Sequence, residues 1–317
     1  MIHLPVNVFE KNGLALAEEY QIGNTYPVFI LTNREGDVIS RWTGYTGARS
    51  FISSLDRALM DLTTIKSKIA QFENDPTYPK ALKLAEFFTD TGEHLDAVKY
   101  YRKADSIAAG QGRNVNLTYH IFTNTANAIW KEMTAFDKIY PAADAVLDQR
   151  RDQDIVNTAI IISRLTRKFD RTEKLDKYLE TGMQSAININ TEQMNARYND
   201  LKAERQLQLQ YDTLGAVKTK KFSLGRGWEN DRNKFYSFAD WCLERKINLE
   251  EAEMYALKAI NLTQPGPYRA RAYHTAAEIC YQRGKIEQAL ENIDAAIAEH
   301  PDNPFYKEER TRYENGE

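Results

Sequence analysis

The sequence is poor in cysteine, proline and glycine, and it contains no long apolar run. Only Cys242 and Cys280 occur among 317 residues. That count and their wide separation exclude a disulfide framework, a CxxC redox pair and a four-cysteine metal site. The five histidines, His3, His94, His120, His274 and His300, show neither HxxxH nor HExxH spacing, so no metal and no cofactor is expected. No stretch approaches the roughly 20 apolar residues that a membrane-spanning helix needs, so no membrane partner is expected. An excess of one charge is missing too, with Lys+Arg 42 against Asp+Glu 45 and a formal net charge of -3. Interspersed charges in that balance do not call for nucleic acid. The one basic cluster, Lys218 to Lys221 beside Gly225 and Gly227, reads as a solvated loop. As written the chain reads as soluble and cytoplasmic, without an export signal; an upstream signal peptide would make it periplasmic or secreted.

What is present divides by period. Over 1–62, Ile2, Leu4, Val6 and Val8 alternate as a half-buried strand does, and "EKNGLALAEEYQI" has helical density. Pro27 then stands at the mouth of the apolar run 28–32. Proline cannot donate to a sheet ladder, so it marks a strand entrance. The turn "NREGD" has Gly36 for a positive φ, a second strand runs Val38 to Thr43, and a helix from Ala48 sets Phe51, Leu55 and Leu59 on one face. Residues 63–78 form a linker helix broken at Asp75, Pro76 and Pro79. Beyond it strand signals vanish, and helix pairs occupy 79–227 and 228–317.

The segment "VNVFEKNGLALAEEYQIGNTYPVFILTNREGDVISRWTGY" resembles the second half of a thioredoxin domain, with Val6, Val8, Leu16, Ala17, Tyr20, Ile22, Pro27, Gly36 and Gly44 at the matching places. The resemblance implies that Pro27 is the cis-proline of that family and that Tyr26 and Pro27 shape a peptide-binding edge. The half that carries the family's CxxC has no counterpart here, so thioredoxin-type chemistry is not expected of the chain as written. One expectation is that Met1 is internal to a longer natural protein; the other is a shortened domain.

The segment 79–107 resembles a tetratricopeptide repeat. Gly92 stands at the inter-helix turn, Leu84, Ala85 and Phe88 on the first helix, and Ala97, Tyr101 and Ala104 on the second. Small residues there let helices approach while the aromatics fill the gaps. A second copy covers 270–301, with Gly284 at the turn and Tyr273, Ala276, Ala277, Cys280, Ala289, Ile293, Ala296 and Pro301 in place. Before it lies a looser copy without the turn glycine, carrying Tyr236, Trp241 and Leu243, then Ala252, Ala256 and Ala259. The middle keeps helical period without the consensus: 155–169 pairs with 171–187 across Asp170-Arg171, and 190–214 reads as one polar helix. A lone repeat cannot bury its apolar face, so these read as degenerate repeats in a continuing stack.

The expected fold is therefore a partial thioredoxin-like α/β module followed by an all-α array of tetratricopeptide type. The expected function is non-catalytic binding of a protein or peptide partner. By likeness to such repeats, Arg271, His274, Glu278 and Tyr281 fall on the first-helix face that lines the groove. The alternatives are a thiol–disulfide oxidoreductase whose CxxC lies upstream of Met1, and a structural scaffold. Cys242 and Cys280 read as buried, inert thiols, Glu86 and Glu93 as surface charge. The sequons at Asn116 and Asn261 carry little weight without an export signal.

Overall fold

The first described strand begins one residue after Pro27. The computed structural model describes residues 6–7, 11–20, 22 and 27–316; the expected first strand lies outside them apart from Val6 and Asn7. The chain divides into two compact units, Met1–Asp154 and Ile155–Glu317.

The first unit opens with α1 (Lys11–Glu19), β1 (Val28–Thr32), β2 (Val38–Thr43) and α2 (Ala48–Leu59). β1 and β2 pair antiparallel with Phe29 opposite Trp42, forming the one sheet among the described residues. A two-stranded ribbon is marginal alone and needs packing on its faces. On one face Trp42 stacks on Phe29 at 5.6 Å, and Phe51 of α2 closes on Phe29 at 4.9 Å. This contact is made in the first turn of α2. Leu59, expected on the same apolar face, stays exposed, and Ala58 takes the buried position. The hairpin turn is held by Asn33 Oδ1, which accepts the N–H groups of Glu35 (3.1 Å) and Asp37 (2.8 Å). Gly36 has φ 88°, open to glycine without a Cβ penalty. The Tyr20 hydroxyl donates to the Gly36 carbonyl at 3.1 Å and fastens the end of α1 to the turn.

The other face of β2 presents Ile39 and Arg41, both buried, to α3 (Ile65–Asn74) and α4 (Tyr78–Thr91). Lys68 Nζ donates to the Ile39 carbonyl at 2.8 Å, and Arg41 Nη1 to the Tyr20 carbonyl at 2.7 Å. The linker 63–78 is thus largely helix α3, capped by Thr64, whose side chain accepts from Ser67 N. α4 packs against α5 (His94–Gly110), α5 against α6 (Thr118–Trp130), and α6 against α7 (Ile139–Asp148). Ala81, Ala85, Ala97 and Ala104 have no accessible surface. The close approach they allow leaves gaps that Phe88 and Tyr100, stacked at 5.4 Å, fill with Phe72 edge-on. Burying a side chain of the size of Leu84 or Phe88 contributes about 1.5–3 kcal/mol.

The second unit takes α8 (Asp152–Phe169), which starts in the last residues of the first, then α9 (Leu175–Ile189), α10 (Glu192–Gln208), α11 (Thr213–Ser223), α12 (Arg232–Arg245), α13 (Leu249–Asn261), α14 (Pro267–Gln282), α15 (Ile286–Glu299) and α16 (Pro304–Asn315). α10 packs with α9 and α11, α12 with α13, α13 with α14, and α14 with both α12 and α15. The segment expected as one polar helix breaks instead after Gln208. Tyr211 enters the left-handed region (φ 55°), and Asp212 caps α11 by accepting from Gly215 N at 2.9 Å.

One turn chemistry recurs. After α4 the Glu93 N–H reaches back to the Phe88 carbonyl across left-handed Gly92, and after α14 the Lys285 N–H reaches the Cys280 carbonyl across Gly284, each at 2.9 Å. This is the Schellman closure, which satisfies a terminal helix carbonyl. The same closure follows α6 (Met133 to Ala128), α8 (Arg171 to Thr166) and α12 (Ile247 to Cys242), across Glu132, Asp170 and Lys246 at φ 59°, 51° and 53°. Helix pairs without a turn glycine therefore close like those with one.

The lysine cluster is not a loop. Lys218 to Lys221 lie on α11, where Lys220 Nζ donates to Asp200 at 2.6 Å over the Trp241 ring, and Lys221 pairs with Glu251. Those carboxylates come from α10 and α13, distant in sequence, and they draw two of the lysines out of solvent.

Candidate functional site

The first helices of the pairs in the second unit are joined by side chains. Between α8, α10 and α12 the joint is Glu204, buried with only 6% exposure. Its Oε2 accepts from Arg167 Nη1 at 2.8 Å and Gln208 Nε2 at 2.9 Å, and its Oε1 accepts from Arg245 Nε at 3.0 Å. Burial opposes the charge on Glu204, but the two guanidinium groups outweigh it and lower its pKa. A charge buried with partners for both oxygens is a structural joint.

Between α12 and α14 the joint is Tyr236. Its hydroxyl accepts from Arg271 Nε at 2.8 Å and lies 3.4 Å from Thr275 Oγ1, while the Arg271 guanidinium sits 5.1 Å over the Tyr236 ring. Arg271 is nevertheless exposed. Its plane is fixed by the ring and by Nε, and its terminal nitrogens remain outside those contacts. Asp240, one turn along α12, has a raised pKa because of burial and the neighbouring Glu244, partly offset by Arg271 and Arg245.

Between α14 and α16 the joint is Glu278. Its Oε1 accepts from Gln282 at 3.1 Å, and its Oε2 accepts from the Tyr313 hydroxyl at 2.9 Å and from Arg312 Nη2. Burial works against the Glu278 charge, but these donors and the Arg312 charge lower its pKa. Tyr281 packs on Tyr313 with centroids 4.8 Å apart, and Arg312 lies 5.0 Å over the Tyr281 ring. His274 meets Phe305 edge-on at 5.0 Å, with its Nε2 3.6 Å from Glu309. Burial lowers the His274 pKa, and Glu309 only partly counteracts this.

The four expected groove residues thus share α14 but not one role. His274, Glu278 and Tyr281 turn to α16; Arg271 turns to α12. The residues that complete the site, Phe305, Tyr306, Glu309, Arg312 and Tyr313, received no role in the sequence. Their signal is present, because Asn303-Pro304 is a helix start, with Asn303 accepting from Phe305 N, and Tyr306, Glu309 and Tyr313 recur at helical spacing.

At the other expected edge, Tyr26 lies outside the described residues. Pro27 is exposed, and its carbonyl accepts from Gly44 N at 2.8 Å. The two cysteines are buried and free. Burial first, and then nearby carboxylates, push Cys242 up to about 12 and Cys280 to about 11, so neither is a thiolate near neutral pH. Among the described residues no group of His, Cys, Asp and Glu is placed to hold a metal ion, and no helix is long and apolar enough to cross a membrane. No family model matches the chain, and no curated protein matches it.

Proposed function

We propose that this chain is a non-catalytic protein- or peptide-binding module of the thioredoxin-like and tetratricopeptide type, with its binding face on α12 and α14. The observation that carries the proposal is Arg271. It is exposed, its Nε is held by Tyr236 at 2.8 Å and its plane by the ring beneath it. Ordering the group before binding removes part of the entropy cost of immobilising a long side chain, and a planar guanidinium fork matches a carboxylate. The partner is therefore a segment that brings an acidic side chain or a chain end to α14.

Other features support the finer fold reading. The positions that the tetratricopeptide resemblance assigns to close packing, Ala85, Ala97, Ala104, Ala276, Ala277, Ala289 and Ala296, are fully buried, and the two helices of each copy pack against each other across left-handed Gly92 and Gly284. The order α1, β1, β2, α2 is the order that the thioredoxin resemblance implies for this segment. In this reading the hairpin module is a docking or structural cap of the array. The high thiol pKa values support a role without thiol chemistry from Cys242 or Cys280. The test is peptide binding by Arg271→Ala: a loss of at least about tenfold supports this face, and unchanged binding rules it out.

A further inference from the structure

The face of α14 that carries His274, Glu278 and Tyr281 already holds a helix. We infer that α16 is an exchangeable strap over this face, and that the face takes in its place a partner's amphipathic helix bearing an arginine followed by an aromatic residue. The inference rests on the binding reading above, and it concerns the adjoining half of the same face.

α16 is attached unlike the helices it covers. α14 buries a continuous face from Ala270 to Cys280, whereas α16 buries only Tyr306 and Tyr313 among its twelve residues. Those two tyrosines pack in one cluster with Ala289, Ile293 and Ala296 of α15, and the remaining contacts are polar or at the margin of solvent: Arg312 and the Tyr313 hydroxyl on Glu278, Glu309 beside His274, and Arg310 on Asp294 of α15 at 2.6 Å. Partly exposed ion pairs contribute little to holding a helix, and low apolar burial marks elements that open ahead of the global transition. The connection from α15 is short, with Pro301 and Pro304 bracketing Asp302 and Asn303, so release of α16 need not disturb α15.

The contacts also define what the face accepts. Glu278 is a half-buried acceptor that takes a guanidinium and a phenol at once. Tyr281 offers a ring both to the arginine (5.0 Å) and to the following tyrosine (4.8 Å), and His274 receives Phe305 one turn further along. An aromatic, then an acid three positions on, then arginine and aromatic as neighbours three further on is the pattern read from Tyr306, Glu309, Arg312 and Tyr313. Helix-in-groove recognition reads this kind of spacing.

Two measurements on the full chain test the inference. In native-state hydrogen exchange, α16 amides are expected to exchange at least about tenfold faster than the slowest amides of α14 and α15, and Glu278→Gln is expected to accelerate α16 alone. A labelled peptide of the sequence Asp302–Gly316, titrated onto full-length Arg312→Ala/Tyr313→Ala, is expected to bind saturably and at least about tenfold more tightly than to the unaltered chain. Exchange of α16 in step with α15, or no saturable peptide binding to the double variant, overturns the inference. Neither failure touches the binding reading through Arg271, which stands or falls by its own substitution.

Discussion

Glu204 and Arg245, on α10 and α12, form a buried pair in which each side chain keeps 8% of its surface exposed, with Arg245 Nε 3.0 Å from Glu204 Oε1. Arg167 from α8 closes the other side. Three helices therefore share one carboxylate, and removing it leaves two guanidinium groups with only the more exposed Glu244 to pair with. Glu204→Ala is expected to cost the second unit about 3–5 kcal/mol, the range for breaking a buried pair from one side. Urea unfolding followed by tryptophan fluorescence checks it; a loss below about 1 kcal/mol would mean that solvent already screens the pair.

The left-handed turn residues give a prediction of opposite sign. Lys246 and Glu132 hold φ 53° and 59° where Gly92 and Gly284 stand in the equivalent turns. A side chain in that conformation costs about 1–2 kcal/mol, partly offset by the larger entropy that glycine brings to the unfolded chain. Lys246→Gly is expected to raise stability by about 0.5–1 kcal/mol, measured as a higher denaturation midpoint with unchanged slope.

These turns also mark how far the sequence could be read. Strands β1 and β2 and the turns at Gly36, Gly92 and Gly284 were legible, because proline, glycine and apolar period act locally. The break at Asp170-Arg171 was legible too, since aspartate tolerates the left-handed region, but the closures at Glu132 and Lys246 were not, because no propensity announces a left-handed glutamate or lysine. The burial of Lys220 was hidden for another reason: its partner Asp200 belongs to a different helix. Of the candidate site, the placing of Arg271, His274, Glu278 and Tyr281 on one helix was legible from their helical spacing. Their coverage by α16 was not, because a helix with two buried tyrosines shows little apolar period.

Gly182 lies in the interior of α9, where only close approach explains it. A Cβ built there would sit 2.4 Å from the Ala159 Cβ of α8 and 3.1 Å from Leu201 Cδ1 of α10. Gly182→Ala should gain helix propensity yet lose about 1–3 kcal/mol by overpacking, visible as a lowered denaturation midpoint. A stabilised variant would contradict the close packing of α8 on α9.

Asp90 and His274 carry acid responses of opposite sign. In the first unit, burial and the neighbouring Glu86 raise Asp90 to about 6, with Arg41 opposing. The folded state thus holds this proton more tightly than the unfolded chain, and Asp90 contributes added stability as pH falls from about 6 toward its unfolded value. Burial sets the direction, yet the residue as a whole keeps an exposed surface, so screening limits the effect to about 1 kcal/mol; Asp90→Asn should remove it. In the second unit, His274 is lowered by burial. The unfolded chain then takes its proton first, and stability is lost as pH falls below the ordinary histidine value. Denaturation midpoints of His274→Gln, followed between pH 7 and 5, should lose less than those of the parent chain.

The most direct test of the binding reading uses a random peptide display library selected on the full chain. The enriched peptides are then synthesised and measured against the parent, Arg271→Ala and Tyr236→Phe. The account predicts peptides with an acidic side chain or a free carboxyl end, bound at least about tenfold more weakly by Arg271→Ala and detectably more weakly by Tyr236→Phe, which keeps the ring but removes the acceptor that holds the arginine Nε. Peptides that bind all three proteins equally would contradict it.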